Sequence, residues 1–351
     1  MEPVRLGVIG CGVIGKTNLK AAMATEMVEV VAAADLRVER REWAKEQGVA
    51  RIYEDGRDLL DRDPEVEAVI IAYPASTRTA MGLRAFARGK HVLTEKPAAL
   101  NAREVRSLMA ARGDRVAACF SSRMRMCASA EKATELVKSG ALGAIRHIHV
   151  RALRAGGPKT EKAPPPWRES FCMNAGGILT NWSCYDLDYV LGVTGWFFRP
   201  KTVLGQWWPC VPEFRCHIAP DSDADSYFTA LVVGEDGSVL TLERGEFMPA
   251  PPEEAWQVIG TKGSITLGMT GSEDRRIVHH EGSAEKGLVS NVIWEGKDPG
   301  PSINSRVIED FASAVRDGHA PATGLEQALT LMRITDAIYA SAASGGAVDV
   351  V

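Results

Sequence analysis

The chain has 351 residues and a formal net charge of −4, too long for a single hydrophobic core and too close to neutral to carry the electrostatic footprint of a nucleic-acid binder. No apolar run is long enough to span a bilayer, and the chain opens directly on a strand and a glycine turn with no room for a signal peptide. Both features predict a cytoplasmic protein. Seven cysteines, an odd number with no Cys-x-x-Cys pair, argue against a disulfide framework or a zinc ribbon. Cys210, Cys216 and His217 lack the paired spacing of structural zinc ligands, so no metal is expected.

In chain order, short β-branched runs alternate with helical patterns from Val4 to Phe120. The predicted strands are Val4–Ile9, Val28–Ala34, Val66–Ala72, His91–Thr94 and Val116–Phe120. The predicted helices are Ile14–Thr25, Val38–Gln47, Arg78–Arg88 and Ala102–Arg112, with Gly48, Gly89 and Gly113 as stops. This alternation predicts an α/β, doubly wound Rossmann sheet. A helix over Ser129–Ser139 and a strand over Ala144–Leu153 follow, then a polar, Pro-rich loop at 156–169. Asn174–Val193 reads as one helix. Strand-like runs then fall around 202–208, 226–233, 238–243, 255–259, 264–267, 275–279 and 288–294, before two amphipathic helices, Ile303–Arg316 and Leu325–Ser341. This second half predicts an α+β domain with an open, mainly antiparallel sheet. The expected organisation is a dinucleotide-binding domain over 1–122 and a substrate-binding and oligomerisation domain over 123–351, with the C-terminal helices free to pack back toward the first.

Gly10-Cys11-Gly12-Val13-Ile14-Gly15 lies where the first strand ends and a helix begins. Gly10 makes the tight turn, Gly12 lets a pyrophosphate approach the helix N-terminus, and Gly15 permits close helix–strand packing. Asp35, about twenty residues on at the end of the second strand, is placed to accept the adenosine ribose hydroxyls, which favours NAD. Arg37, Arg40 and Arg41 follow at once, and a guanidinium there keeps NADP as the alternative cofactor.

After the fifth strand the chain reads Glu95-Lys96-Pro97. Together with the glycine turn this resembles the glucose-fructose oxidoreductase / inositol dehydrogenase (Gfo/Idh/MocA) family, over nearly the whole chain. The resemblance implies a catalytic lysine beside the nicotinamide, here Lys96, with Glu95 in the cofactor site. It also implies that the backbone at Tyr73 and Pro74 passes the nicotinamide ribose, and that Trp167 and Arg168 lie on a loop near nicotinamide and substrate. Arg123 is a further arginine shared with relatives. The physical reading of Lys96 agrees, because a lysine at the carboxyl end of a central parallel strand lies in the crevice where such sheets bind ligands, able to stabilise a developing alkoxide.

The family's usual helix carries Asp, three residues, then His; this chain has Asn181 and Tyr185. On a single helix Asn181, Tyr185 and Asp188 fall at i, i+4 and i+7, on one face. A phenol beside an ammonium can relay a proton, so Lys96 and Tyr185 form the expected catalytic pair, with Asn181, Asp188, Trp167 and Arg168 binding substrate. The expected activity is hydride transfer between NAD(P) and a hydroxyl-bearing carbon of a sugar, inositol or related polyol. The alternatives are a dinucleotide-sensing regulator without turnover, and a dehydrogenase of a less polar diol or carbonyl suited by Trp207-Trp208. The expected partners are a hydroxylated small molecule and a second copy of the chain, as a homodimer or homotetramer, with neither nucleic acid nor membrane.

Overall fold

Val4, Leu6, Val8 and Ile9 are fully buried, as the central strand of a sheet covered on both faces requires. They form β1 (Val4–Ile9), which pairs in parallel with β2 (Val28–Ala34) on one side and β4 (Ala68–Ile71) on the other. With β3 (Arg51–Tyr53), β5 (His91–Thr94) and β6 (Ala117–Cys119), the order is β3-β2-β1-β4-β5-β6, all parallel. This is the doubly wound order expected of a Rossmann sheet, whose ligand crevice opens where the order reverses, beyond the carboxyl ends of β1 and β4. The computed structural model describes residues 2–159, 161, 164–270 and 275–351.

The chain divides into two units, Met1–Arg123 with Gly300–Thr330, and Met124–Pro299 with Leu331–Val351. In the first, the sequence reading misses β3 and the helix Gly56–Arg62 that follows it. The strand is three residues long, half-buried at the sheet edge, and lacks any apolar alternation. The helix is marked only by Asp55, whose carboxylate caps it by accepting the Arg57 N–H at 2.8 Å. The helix Ile303–Asp317 joins this unit from the far end of the sequence. Its first turn lies on the helix Val13–Met23 through a Ser305 hydroxyl donating to the Ala21 carbonyl, and its last turn is tied through Arg316 to Glu67, the residue before β4.

Among the described residues the second unit is built on nine strands: β7 (Ile145–Ala155), β8 (Pro200–Trp208), β9 (Tyr227–Gly234), β10 (Val239–Met248), β11 (Glu253–Gly260), β12 (Gly263–Leu267), β13 (Arg275–Ser283), β14 (Gly287–Gly296) and β15 (Val348–Asp349). Their order is β14-β13-β12-β11-β7-β10-β9-β8-β15, and β7 with β10 is the one parallel pair among them. The sheet is therefore mixed and mainly antiparallel. Ile148, Val150, Phe228, Val232, Leu240, Leu242, Trp256 and Val258 are buried at every second position, the period-2 pattern of a sheet with one covered face. The helix Ser183–Val193 is buried along its whole length. Asp186 on it accepts from Arg244 Nε at 2.6 Å, Arg244 Nη2 at 2.9 Å and Trp256 Nε1 at 2.9 Å, tying the helix to β10 and β11.

One expected element is corrected. Asn174–Val193 is not a single helix but three pieces, Phe171–Asn174, Ile178–Asn181 and Ser183–Val193. The first break is forced by Ala175 at φ 66° and Gly176 at φ 141°, conformations that end a helix. The second falls at Trp182, with φ −119° and ψ −37°. Asn181 thus precedes the helix that carries Tyr185 and Asp188, and the three do not share one uninterrupted face. Of the loop at 156–169, positions 160, 162 and 163 lie outside the described residues.

Candidate active site

In the first unit the glycine turn has the shape its residues predict. Gly10 sits at φ 94°, and a Cβ there would come within 2.9 Å of the Tyr73 ring. A Cβ on Gly15 would overlap the Gly10 carbonyl oxygen, so the helix Val13–Met23 starts against the strand end only because both are glycine. That helix has no side-chain cap and no acid in its first turn, which leaves its N-terminal dipole to an anion. Val13 projects outward, 90% exposed, while Cys11 is buried, its thiol pushed up to about 12 by burial and by the Asp35 carboxylate. Ile14 is half-buried. The cradle fits a dinucleotide: two positions shaped by absent side chains, a helix start with positive character, and a carboxylate at the second strand end.

That carboxylate, Asp35, is only 3% exposed. It accepts the Cys11 N–H at 2.8 Å and the Arg37 N–H at 2.9 Å, so it joins the glycine turn to the β2 end. Arg40 pairs with it at 3.4 Å, and Arg41 donates to the carbonyls of Asp35 and Leu36 at 2.8 and 2.9 Å. Two of the three arginines that kept NADP open are therefore committed to the Asp35 turn. Tyr73 lies over Gly10, its hydroxyl pushed up to about 12 by burial and by Asp55. Pro74 opens the helix Ala75–Ala87. Arg78, which the sequence left without a role, is buried and donates to the Tyr73 carbonyl at 2.7 Å and the Pro97 carbonyl at 2.5 Å, fastening the two turns to each other.

Lys96 follows β5 at the carboxyl edge of the sheet and is half-buried. Its neighbour Glu95 turns inward, 2% exposed, and receives Arg123 Nη2 at 2.8 Å, Asn18 Nδ2 at 2.9 Å and the Lys96 N–H at 3.2 Å. Burial alone would raise this carboxyl, but Arg123, the Asn18 amide, Lys96 and Arg78 outweigh it and hold the group below its ordinary range. Asn18 was missed in the sequence. The available signal was a polar residue on the buried stripe of its helix, between Gly15 and Leu19.

In the second unit Asn181 is 9% exposed, Tyr185 3% and Asp188 fully buried. Tyr185 packs edge-on against Trp182 with ring centroids 5.6 Å apart, and Trp182 is flanked by Arg154 at 4.9 Å and Arg244 at 5.1 Å. Asp188 is bound by Arg125 Nε at 2.6 Å. The piece carrying Asn181 is anchored from below. Asp225 accepts the Gly177 and Leu179 N–H groups, each at 2.8 Å, and the Tyr339 hydroxyl at 2.6 Å. A Cβ on Gly177 would strike the Asp225 carbonyl, so the paired glycines serve close packing. Trp167 is 38% exposed, and Arg168 is held by Glu246 on β10. Beside them Glu169 and Glu246 form a buried carboxyl pair that no sequence motif marks.

Comparison with known proteins agrees with this geometry. Residues 4–120 match the profile described as "Oxidoreductase family, NAD-binding Rossmann fold", and residues 130–266 match the "GFO/IDH/MocA C-terminal domain". The levoglucosan dehydrogenase of Pseudarthrobacter phenanthrenivorans is 23% identical over 100% of this chain and 99% of its own. The scyllo-inositol 2-dehydrogenase (NAD(+)) of Bacillus subtilis is 25% identical over 91% and 88%. Among solved structures, a levoglucosan dehydrogenase in complex with NADH and levoglucosan superposes with a TM-score of 0.84 at 22% identity, covering 99% of each chain. An oxidoreductase domain protein from Kribbella flavida gives 0.85 at 21%, covering all of both. No helix among the described residues is long and apolar enough to cross a membrane.

Proposed function

Because the chain belongs to the Gfo/Idh/MocA family of oxidoreductases, with an NAD-binding Rossmann domain, we propose that it exchanges a hydride with the hydroxyl-bearing carbon of a sugar, inositol or related polyol, using Lys96 and Tyr185 as its catalytic pair. The observation that carries this reading is the placement of Lys96. It stands at the carboxyl end of a central parallel strand, the edge on which the Gly10–Gly15 cradle also opens. The substrate class follows the relatives named as levoglucosan and scyllo-inositol dehydrogenases.

Gly10, Cys11, Gly12, Val13, Ile14 and Gly15 would hold the diphosphate, Asp35 the adenosine ribose, and Tyr73, Pro74 and the Glu95–Lys96 backbone the nicotinamide end. Bound NAD supplies the hydride acceptor. Lys96 would stabilise the substrate oxygen as its negative charge grows, and Tyr185 would take the hydroxyl proton. Asn181 both donates and accepts, so it orients a substrate hydroxyl without acting as a base. Trp167 offers an apolar face and Arg168 a fork of donors. Asp188, ion-paired with Arg125, would accept from a substrate hydroxyl.

The test is absorbance at the reduced-nicotinamide band over a panel of inositols, aldoses and anhydrosugars. Lys96→Ala is expected to abolish turnover while leaving NAD affinity within about twofold. Equal loss of both would contradict the assignment. Tyr185→Phe removes one hydroxyl and is expected to cost about 100-fold in kcat, in the range of general acid–base catalysis; unchanged turnover across pH refutes the relay.

A further inference from the structure

The turn that presents Lys96 is supported from beneath by a chain of buried polar groups. Asn304, at the start of the helix Ile303–Asp317, donates Nδ2 to Asn18 Oδ1 at 2.6 Å. Asn18 in turn donates Nδ2 to Glu95 Oε1 at 2.9 Å. Arg123 Nη2 reaches the same Glu95 oxygen at 2.8 Å, while Glu95 Oε2 accepts the Lys96 N–H at 3.2 Å. Asn18, Glu95, Asn304 and Arg123 are 0%, 2%, 7% and 8% exposed. All four belong to the first unit.

Each link in this chain has only one workable orientation. Glu95 accepts, so the Asn18 amide must turn its NH2 toward it and its oxygen away, and that oxygen then requires a donor, which Asn304 provides. The helix from the end of the sequence thereby fixes which way an amide in the first helix faces, and that amide fixes the carboxylate under Lys96. The charges facing Glu95 come from three elements: Lys96 beyond β5, Arg123 from the turn after β6, and Arg78 from the helix Ala75–Ala87. Glu95 is the acidic member of this group, set against three cations.

We propose that Glu95, oriented through Asn18 by Asn304, is the positioning residue for Lys96, fixing the turn that carries it. The proposal rests on the catalytic reading of Lys96 for its effect on turnover, but its structural content does not depend on turnover.

The experiment uses the full chain with lysines dimethylated by ¹³C-formaldehyde and saturated with NAD alone, without substrate. The Lys96 resonance, identified by its loss in Lys96→Ala, is recorded by NMR at one fixed pH. Glu95→Gln keeps the shape of the side chain but has one acceptor oxygen in place of two, so it cannot hold Arg123, Asn18 and the Lys96 N–H together. The Lys96 resonance is expected to shift, and an unmoved resonance in the folded variant overturns the proposal.

If Glu95→Gln fails to fold, Asn304 decides. Asn304→Asp keeps the side-chain shape but offers no donor, so Asn18 must turn over and present its oxygen to Glu95. Asn304→Ala only vacates the site. The Asp variant is expected to displace the Lys96 resonance further than the Ala variant and to lower kcat more, with KM for NAD within about twofold of wild type. The reverse order, in which size alone sets the damage, overturns the proposal. A moved Lys96 resonance with unchanged turnover would remove the catalytic assignment and leave the positioning role standing. An unmoved resonance with Lys96→Ala still inactive would do the opposite.

Discussion

The buried pair Glu169 and Glu246 gives the second unit a pH dependence that can be worked from its surroundings. Glu169 Oε2 accepts the Ser226 hydroxyl at 3.0 Å, and Glu246 Oε2 accepts Arg168. Among the described residues the other oxygen of each carboxyl is buried with no hydrogen-bond partner. Facing Glu169 are Arg168, Asp225 and Ser226; facing Glu246 are Arg168, Arg244 and Arg154, with Arg244 already spent on Asp186. Burial raises both groups, and Glu169 is raised further by its neighbour, to about 8 from an ordinary 4.5. The pair therefore holds one proton at neutral pH, which supplies the donor the orphan oxygens lack. A raised carboxyl contributes stability at low pH and loses it as pH climbs, so the native state carries one proton more than the unfolded chain between those limits. Stability falls by about 1.4 kcal/mol per pH unit across the window, a total of at most ~4–5 kcal/mol. Glu169→Gln replaces the shared proton with a permanent N–H donor toward Glu246 and keeps an oxygen for Ser226. Seven of the eight tryptophans lie in the second unit, so tryptophan fluorescence in urea reports its unfolding. The wild-type midpoint should drop between pH 6 and 8.5 while that of Glu169→Gln stays nearly flat and becomes the higher of the two at pH 8.5. Parallel pH slopes for the two proteins would refute the shared proton.

Two further substitutions test how the second unit holds its site. Asp186→Asn leaves Arg244, 1% exposed, without its counter-charge, and should cost about 3–5 kcal/mol in urea unfolding at pH 7; a loss below about 1 kcal/mol would mean the pair is not what joins the helix to the sheet. Gly177→Ala drives a methyl into the Asp225 carbonyl. It is expected to cost about 2 kcal/mol or more and to lower kcat with NAD affinity unchanged, read by titrating NAD fluorescence quenching alongside turnover.

How much of this was legible in the sequence divides along one physical line. Whatever rests on a local period or a short spacing was readable: β1, β2 and β5 at their observed bounds, the glycine turn, Asp35 at the strand end, and Lys96 beyond β5. The short edge strand β3 was lost because three half-buried residues carry no period. The single helix expected over Asn174–Val193 failed for a different reason. Its apolar pattern is continuous, and the first break, at Ala175 and Gly176, is held by Asp225, some fifty residues downstream, whose carboxylate and carbonyl take the N–H groups of Gly177, Ile178 and Leu179. A tertiary partner overrode a local preference, and nothing near Gly177 announces it except the paired glycines that make room.

The same line separates the candidate site from the groups that tune it. Asp188 met the spacing rule for a substrate ligand, and its carboxylate also pairs with Arg125, 63 residues earlier, which no local spacing announces. Glu95 belonged to a recognisable motif, yet its side chain answers to Arg123 and Asn18 rather than to the open crevice. Both residues are acids whose buried charge has to be matched, and the matching partner arrives from wherever the fold brings a cation or an amide. Local spacing can therefore nominate a charged residue for chemistry, but only its partner decides whether that charge faces a ligand or the core. Lys96 differs from Asp188 in its position: it sits at the carboxyl edge of a parallel sheet. That edge is set by strand order, and strand order is what the alternating sequence pattern specifies.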